Sequence, residues 1–156
     1  MSSIRPWYRR PGRVVPIAVA VVGVAAVAVS VLTPWPAALL IRAVFEQDGA
    51  KTVTEMQGHV PDVPLDSTLD VDTGIAGAAI DVFSPAGTEG ALPTVVWIHG
   101  GAWISGNKQT VRPYVQILAA QGYTAVAVDY SVSPEVQYPV ALEQLNATLG
   151  YLAEHA

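Results

Sequence analysis

Between Arg13 and Arg42 lie 28 consecutive residues without a charge, Val14 to Ile41. The richest part, Val14 to Leu32, is almost entirely Val and Ala, interrupted by one Gly, one Pro and one Ser. About 20 helical residues rising 1.5 Å each reach across a hydrocarbon core of roughly 30 Å. A core helix of a globular domain would show a polar face, and this run has none. Trp7 and Tyr8 precede it and Trp35 follows, where rings anchor at the two interfaces. The expectation is a transmembrane helix. An uncleaved anchor is favoured, because a signal peptide has an apolar core of about 7–15 residues and a small-residue cleavage site beyond it. Here Ala26-Val27-Ala28 lies inside the core. Arg9-Arg10 runs into Pro11-Gly12 and is a poor twin-arginine export signal.

Charge orients the segment. Arg5, Arg9, Arg10 and Arg13 stand in the first 13 residues with no acid, a local +4. The other 143 residues carry four basic against 13 acidic side chains, a balance of −9. The basic tip predicts a single pass with the N-terminus inside and the remainder outside. An acidic body argues against nucleic acid as a partner. Cysteine is absent, which removes disulfides, zinc–thiolate sites and cysteine nucleophiles. Three isolated histidines without ligand spacing give no metal site, and no cofactor is implied.

Beyond the apolar run, Thr33-Pro34-Trp35-Pro36 breaks the helix. Leu40, Ile41, Val44 and Phe45 then share a helical face, with Arg42 and Glu46 spaced as an i,i+4 pair. This predicts a short amphipathic helix at the outer membrane surface. Residues 47–67 are polar, contain Gly49, Gly58, Pro61 and Pro64, and read as a linker.

The remainder alternates strand and helix. Leu69–Asp72 and Ala79–Phe83 read as a hairpin across a glycine-containing turn, and Thr94–Ile98 as a strand covered on both faces. His99-Gly100-Gly101-Ala102-Trp103 is a loop. A helix near Thr110–Gln121 follows, with Tyr114, Ile117, Leu118 and Gln121 on one face and Gly122 as its stop. Thr124–Val128 is a second buried strand. A last helix starts near Pro139, with Leu142, Leu145, Leu149 and Leu152 on its face. The order predicts an α/β fold with a hairpin and a mainly parallel sheet.

Ligands of such sheets bind at the carboxyl ends of strands, where His99–Trp103 must sit. Adjacent glycines let backbone approach a substrate, and free N–H groups could hold a developing oxyanion. From these residues alone, an ordinary strand-to-helix turn is an equal reading. Gly101–Gln109 also approaches a phosphate-binding loop, but Asn107 shifts Lys108 one place late. Gln109 replaces the magnesium-binding hydroxyl, and Trp103 and Ile104 would crowd phosphates.

The wider stretch decides between these. Val95–Trp103 resembles the α/β-hydrolase esterases of the hormone-sensitive-lipase and feruloyl-esterase-like type, whose oxyanion loop reads His-Gly-Gly-Gly or His-Gly-Gly-Ala before an aromatic residue. The similarity extends through Gly106, Lys108, Tyr114, Leu118–Tyr123, Val126–Tyr130, Ser133-Pro134-Glu135 and Tyr138-Pro139, with Asp81–Pro85 resembling the second strand. Ser131 departs from relatives that carry Arg there. The resemblance implies an α/β-hydrolase N-terminal portion, and the apolar run places one transmembrane helix before it. The expected segments are a basic tip over 1–13, an anchor over 14–33, an amphipathic helix and linker over 34–67 and a partial hydrolase domain over 68–156. It further implies a small-molecule ester as substrate, backbone donors at Gly101 and Ala102, Gly100 allowing the turn, and His99 tying down the loop. No Gly-x-Ser-x-Gly elbow stands anywhere in the sequence; Ser105 precedes Gly106 in the wrong frame. The 156 residues are therefore expected not to hydrolyse esters by themselves. The rival reading is a catalytically inactive, membrane-tethered binding protein or a truncated fragment.

Overall fold

The computed structural model describes residues 11–155. The basic tip lies almost wholly outside them, with Trp7 and Tyr8. The chain divides into two compact units, with the division between Leu39 and Leu40.

In the first unit, helix α1 spans Pro11–Leu32. Its Val14–Leu32 stretch has a mean hydropathy of 2.7 and none of it is buried. It is the one described helix long and apolar enough to cross a membrane. Helix α2, Trp35–Gln57, begins after a two-residue break at Thr33-Pro34. It continues through residues 47–57, where the glycines had predicted a linker. Most residues there, among them Ala50, Lys51, Glu55, Met56 and Gln57, are good helix formers, and a single glycine costs only about 1 kcal/mol. The Thr52 and Thr54 hydroxyls donate back to the Asp48 and Ala50 carbonyls. The helix stops in turns at Gly58 and His59.

The second unit holds a four-stranded sheet in the order β1-β2-β4-β3, formed by β1 (Leu65–Val71), β2 (Ile80–Pro85), β3 (Thr94–Ile98) and β4 (Thr124–Val128). The hairpin forms as expected, β1 antiparallel to β2, with a bulge between Thr68 and Val71. β2 pairs antiparallel with β4, and β3 pairs parallel with β4. The sheet is thus mixed. Parallel pairing is confined to β3 and β4, joined through α3 (Lys108–Ala120), because a crossover helix is what permits it. β3 is a half-buried edge among the described residues, with Thr94 and Ile98 exposed, instead of a strand covered on both faces.

Helix α3 covers one face and α4 (Val140–His155) the other. Ala119, Ala125 and Ala127 are fully buried beside Phe83, Val111 and Val115. On the opposite face Ile80, Val126, Val128, Tyr130 and Leu145 pack together. The helix faces differ from those expected. α3 buries Lys108, Val111, Val115 and Ala119, leaving Tyr114, Ile117 and Leu118 half-buried. α4 buries Gln144, Leu145 and Thr148, and exposes Leu142 and Leu149.

Lys108 explains the shift in α3. Its ammonium is bonded to Asp70 and lies 2.8 Å from Asp81, whose other oxygen takes Arg112 at 2.7 Å. Burial opposes the charge on Lys108, but the two carboxylates outweigh it and raise its pKa. Burial likewise opposes ionisation of Asp81, and the Asp70 N–H, Lys108 and Arg112 together bring its pKa down. The bulge at Asp70, with φ +53°, delivers both that N–H and its carboxylate.

Candidate active site

β3 ends at Ile98, and residues 99–106 turn the chain over the carboxyl end of the sheet into α3. Three consecutive residues take positive φ: Gly101 at +120°, Ala102 at +54° and Trp103 at +61°. This run makes the turn; Gly100, expected to allow it, is not in the left-handed region and a Cβ there would meet nothing within 4 Å. The Gly101 carbonyl accepts from the N–H groups of Ile104 and Ser105, both at 3.0 Å. The N–H groups of Gly101 and Ala102 find no acceptor among the described residues. The loop closes tightly. A Cβ on Gly106 would stand 2.3 Å from the Gly100 oxygen and 2.4 Å from His99 Nδ1.

His99 lies under this turn, 3% exposed. Its Nδ1 is 2.8 Å from the Gly100 carbonyl. A carbonyl only accepts, so Nδ1 carries the proton and Nε2, buried without a partner among the described residues, is bare. Burial lowers the ring's pKa against smaller opposing effects from Gly100 and Asp129, so the imidazole is neutral at pH 7. Tyr130 stacks on it at 4.2 Å and 6°, and donates its hydroxyl to the His99 carbonyl at 2.8 Å.

Two further loops brace the turn. Ser133 donates its N–H to the Trp103 carbonyl at 2.7 Å. At Ser131, the side chain of Gln144 accepts from the backbone N–H at 2.8 Å and donates to the hydroxyl at 2.9 Å. Gln144 also donates to the Ala76 carbonyl, so α4 fixes the strand-end loop.

The expected pairing of Arg42 with Glu46 is replaced by something larger. Arg42 Nη1 and Nη2 bind both oxygens of Glu135 at 2.8 and 2.6 Å. Nη2 also donates to the Ser133 carbonyl at 2.6 Å, and Nε to the Ile104 carbonyl at 2.7 Å. The guanidinium holds the Glu135 carboxyl down at about 2. Helical spacing favoured a local partner, and nothing in the sequence flagged one 93 residues away. Asn107, the N-cap of α3, was also missed: its side chain accepts from the Thr110 N–H at 3.1 Å.

Of the clefts that border the turn among the described residues, two reach residues 100–103. One, of about 370 Å³ and mainly apolar, is bordered by Trp103, Val136, Tyr138 and Leu142. The other, about 530 Å³, separates Gly100 and Gly101 from Phe45 and Gly49 of α2. Among the described residues no group of three His, Cys, Asp or Glu side chains is placed to hold a metal.

The sequence and the fold are matched in known proteins. The BD-FAE family model fits residues 80–156, from β2 through the turn and α4. The chain carries the N-terminal part of an esterase-type α/β-hydrolase. The acetyl esterase of Salmonella typhi is 31% identical over 136 residues, covering 80% of this chain and 38% of that protein. Esterase B from Lactobacillus rhamnosis superposes with a TM-score of 0.63 at 25% identity, covering 76% of this chain and 39% of the other. The esterase of Pyrobaculum calidifontis superposes at 0.60 with 27% identity, over 75% and 37%. The chain therefore spans about two fifths of the length of the esterases it matches.

Proposed function

We propose that this chain supplies the oxyanion-binding part of a membrane-anchored serine carboxylic ester hydrolase. The observation that carries the reading is the left-handed run Gly101–Trp103, which leaves the Gly101 and Ala102 N–H groups without acceptors among the described residues. When a nucleophile adds to an ester carbonyl, the oxygen gains a full negative charge. Donors already held in place stabilise that oxygen without reorganising, each worth roughly 3–4 kcal/mol in the transition state. His99 acts as loop support, its proton committed to the Gly100 carbonyl, and is not the general base. Gly100 contributes backbone beside that carbonyl. A serine elbow, a His base and an orienting acid complete an acyl-serine mechanism without cofactor. The elbow motif is not in these 156 residues. The substrate class is a small-molecule ester, in keeping with acetyl esterases among the relatives. The apolar α1 supports a single membrane pass, and the reading that puts the hydrolase part on the outer side rests on the four arginines at its start.

The test uses membranes of the native source, treated with a fluorophosphonate probe and resolved on a denaturing gel. An antibody against residues 109–121 identifies the chain. A labelled band well above the mass of 156 residues is expected. An unlabelled band would overturn the esterase reading and leave a tethered binding protein without hydrolase activity.

A further inference from the structure

Helix α2 carries two unlike stripes. On one side Arg42, Gly49, Val53 and Met56 are withdrawn from solvent. The opposite side presents Leu40, Ile41 and Val44, exposed by 70, 42 and 61%. The same line then continues, in the same unbroken helix, as Asp48, Lys51 and Glu55, all exposed. Single exposed apolar residues need no explanation, but a contiguous patch does. Here the four side chains Leu40, Ile41, Val44 and Phe45 border one depression with no polar atom in it.

The change from apolar to charged within about one turn is what a helix meets on passing from a lipid interface into water. The only charge between Trp35 and Phe45 belongs to Arg42, and it is turned to the other side, onto Glu135 and two carbonyls. Only Thr33 and Pro34 separate α2 from a helix of membrane-crossing length. At no more than about 3.6 Å per residue, that link holds the start of α2 close to the end of α1. We infer that Leu40, Ile41, Val44 and Phe45 lie in the interfacial layer of a lipid bilayer, with the helix emerging into water at Asp48. This rests on α1 spanning the membrane, as proposed above.

The chemistry also selects the lipid. Lys51 is paired with Asp48 at 3.4 Å, and no other basic side chain lies on this stripe. Contact is therefore driven by apolar burial alone and needs no anionic headgroup. A zwitterionic phosphatidylcholine surface suffices. Arg42 reaches the Ile104 carbonyl from the other side of the helix, so the 99–106 turn lies across α2 from the apolar patch. An ester dissolved in the bilayer would meet the turn at the interface.

These 156 residues contain no cysteine, so a single label placed on them is unambiguous. Nitroxides are attached to Val44→Cys, Lys51→Cys and, as a reference within α1, Val24→Cys, each in the full chain in phosphatidylcholine vesicles. Collision with oxygen and with a water-soluble nickel chelate is then read by EPR. Labels at 24 and 44 are expected to favour oxygen severalfold, and the label at 51 to favour nickel. Lipid at 24 with water at 44 would overturn this inference while the anchor reading stands. Water at 24 would remove both. Lipid at 51 as well as 44 would overturn the boundary at Asp48. Spin–spin broadening at 44 that vanishes on dilution with unlabelled protein would assign the patch to a second copy instead.

Discussion

A Cβ built on Gly101 would stand 2.0 Å from the Ser105 carbonyl oxygen, and the residue's φ of +120° is a region that side chains avoid. Gly100, its neighbour, has neither constraint. The two glycines look alike in the sequence, and the turn was expected at the wrong one. Positive φ at Ala102 and Trp103 was not legible at all, because non-glycine residues rarely adopt it and leave no compositional trace when they do. Gly101→Ala is expected to cost about 2–4 kcal/mol, from backbone strain and overpacking together. Gly100→Ala should stay within about 0.5 kcal/mol of the parent. Denaturant unfolding of the full chain in detergent compares the two; equal losses would refute the assignment of the turn to Gly101–Trp103. For His99, only the family resemblance pointed to the loop, and its ring lies 2.8 Å from the Gly100 carbonyl. Its partner Tyr130 stands 31 residues further on and could not be paired with it by spacing.

At the scale of elements, the strands and the two helices after β3 were legible, but the faces they bury were not. Apolar spacing on α3 pointed to Tyr114, Ile117 and Leu118, whereas a lysine lies in the buried stripe. A periodicity argument counts lysine as solvent-facing. Only the bulge at Asp70 and the carboxylate of Asp81, both distant in sequence, make its burial tolerable. The same blindness applied to Arg42, whose bidentate contact joins α2 to the loop carrying Glu135. That contact has a pH signature. A carboxyl depressed in the folded state stabilises the fold above its unfolded pKa and loses that contribution as pH falls through its folded value. For Glu135 the window runs from about 4.5 down to about 2. The ¹³Cδ shift of Glu135 in the full chain should titrate near 2, and in Arg42→Ala should move back toward 4.5. Amide exchange at Ile104 and Ser133 should quicken in the same variant. An unchanged Glu135 midpoint in Arg42→Ala would remove the clamp.

At the scale of the molecule, the sheet reads as mixed because the hairpin enters beside β4 and not beyond β3, a choice of strand order that local patterns do not encode. What the sequence does encode at this scale is charge. Three arginines precede α1, a fourth, Arg13, stands in its first turn, and the rest of the chain is acidic, an asymmetry that opposes transfer of the tip and not of the body. Because these 156 residues contain no cysteine, their orientation is directly measurable. Ser3→Cys places a thiol before α1, and Asp62→Cys places one in the exposed segment ahead of β1. In intact cells a membrane-impermeant maleimide should modify position 62 and leave position 3 untouched until the membrane is permeabilised. The reverse pattern would invert the proposed topology. Labelling of both thiols in intact cells would mean that α1 does not cross. In the expected orientation, the 99–106 turn and its unpaired N–H groups face the outer side, where an ester substrate would have to be met.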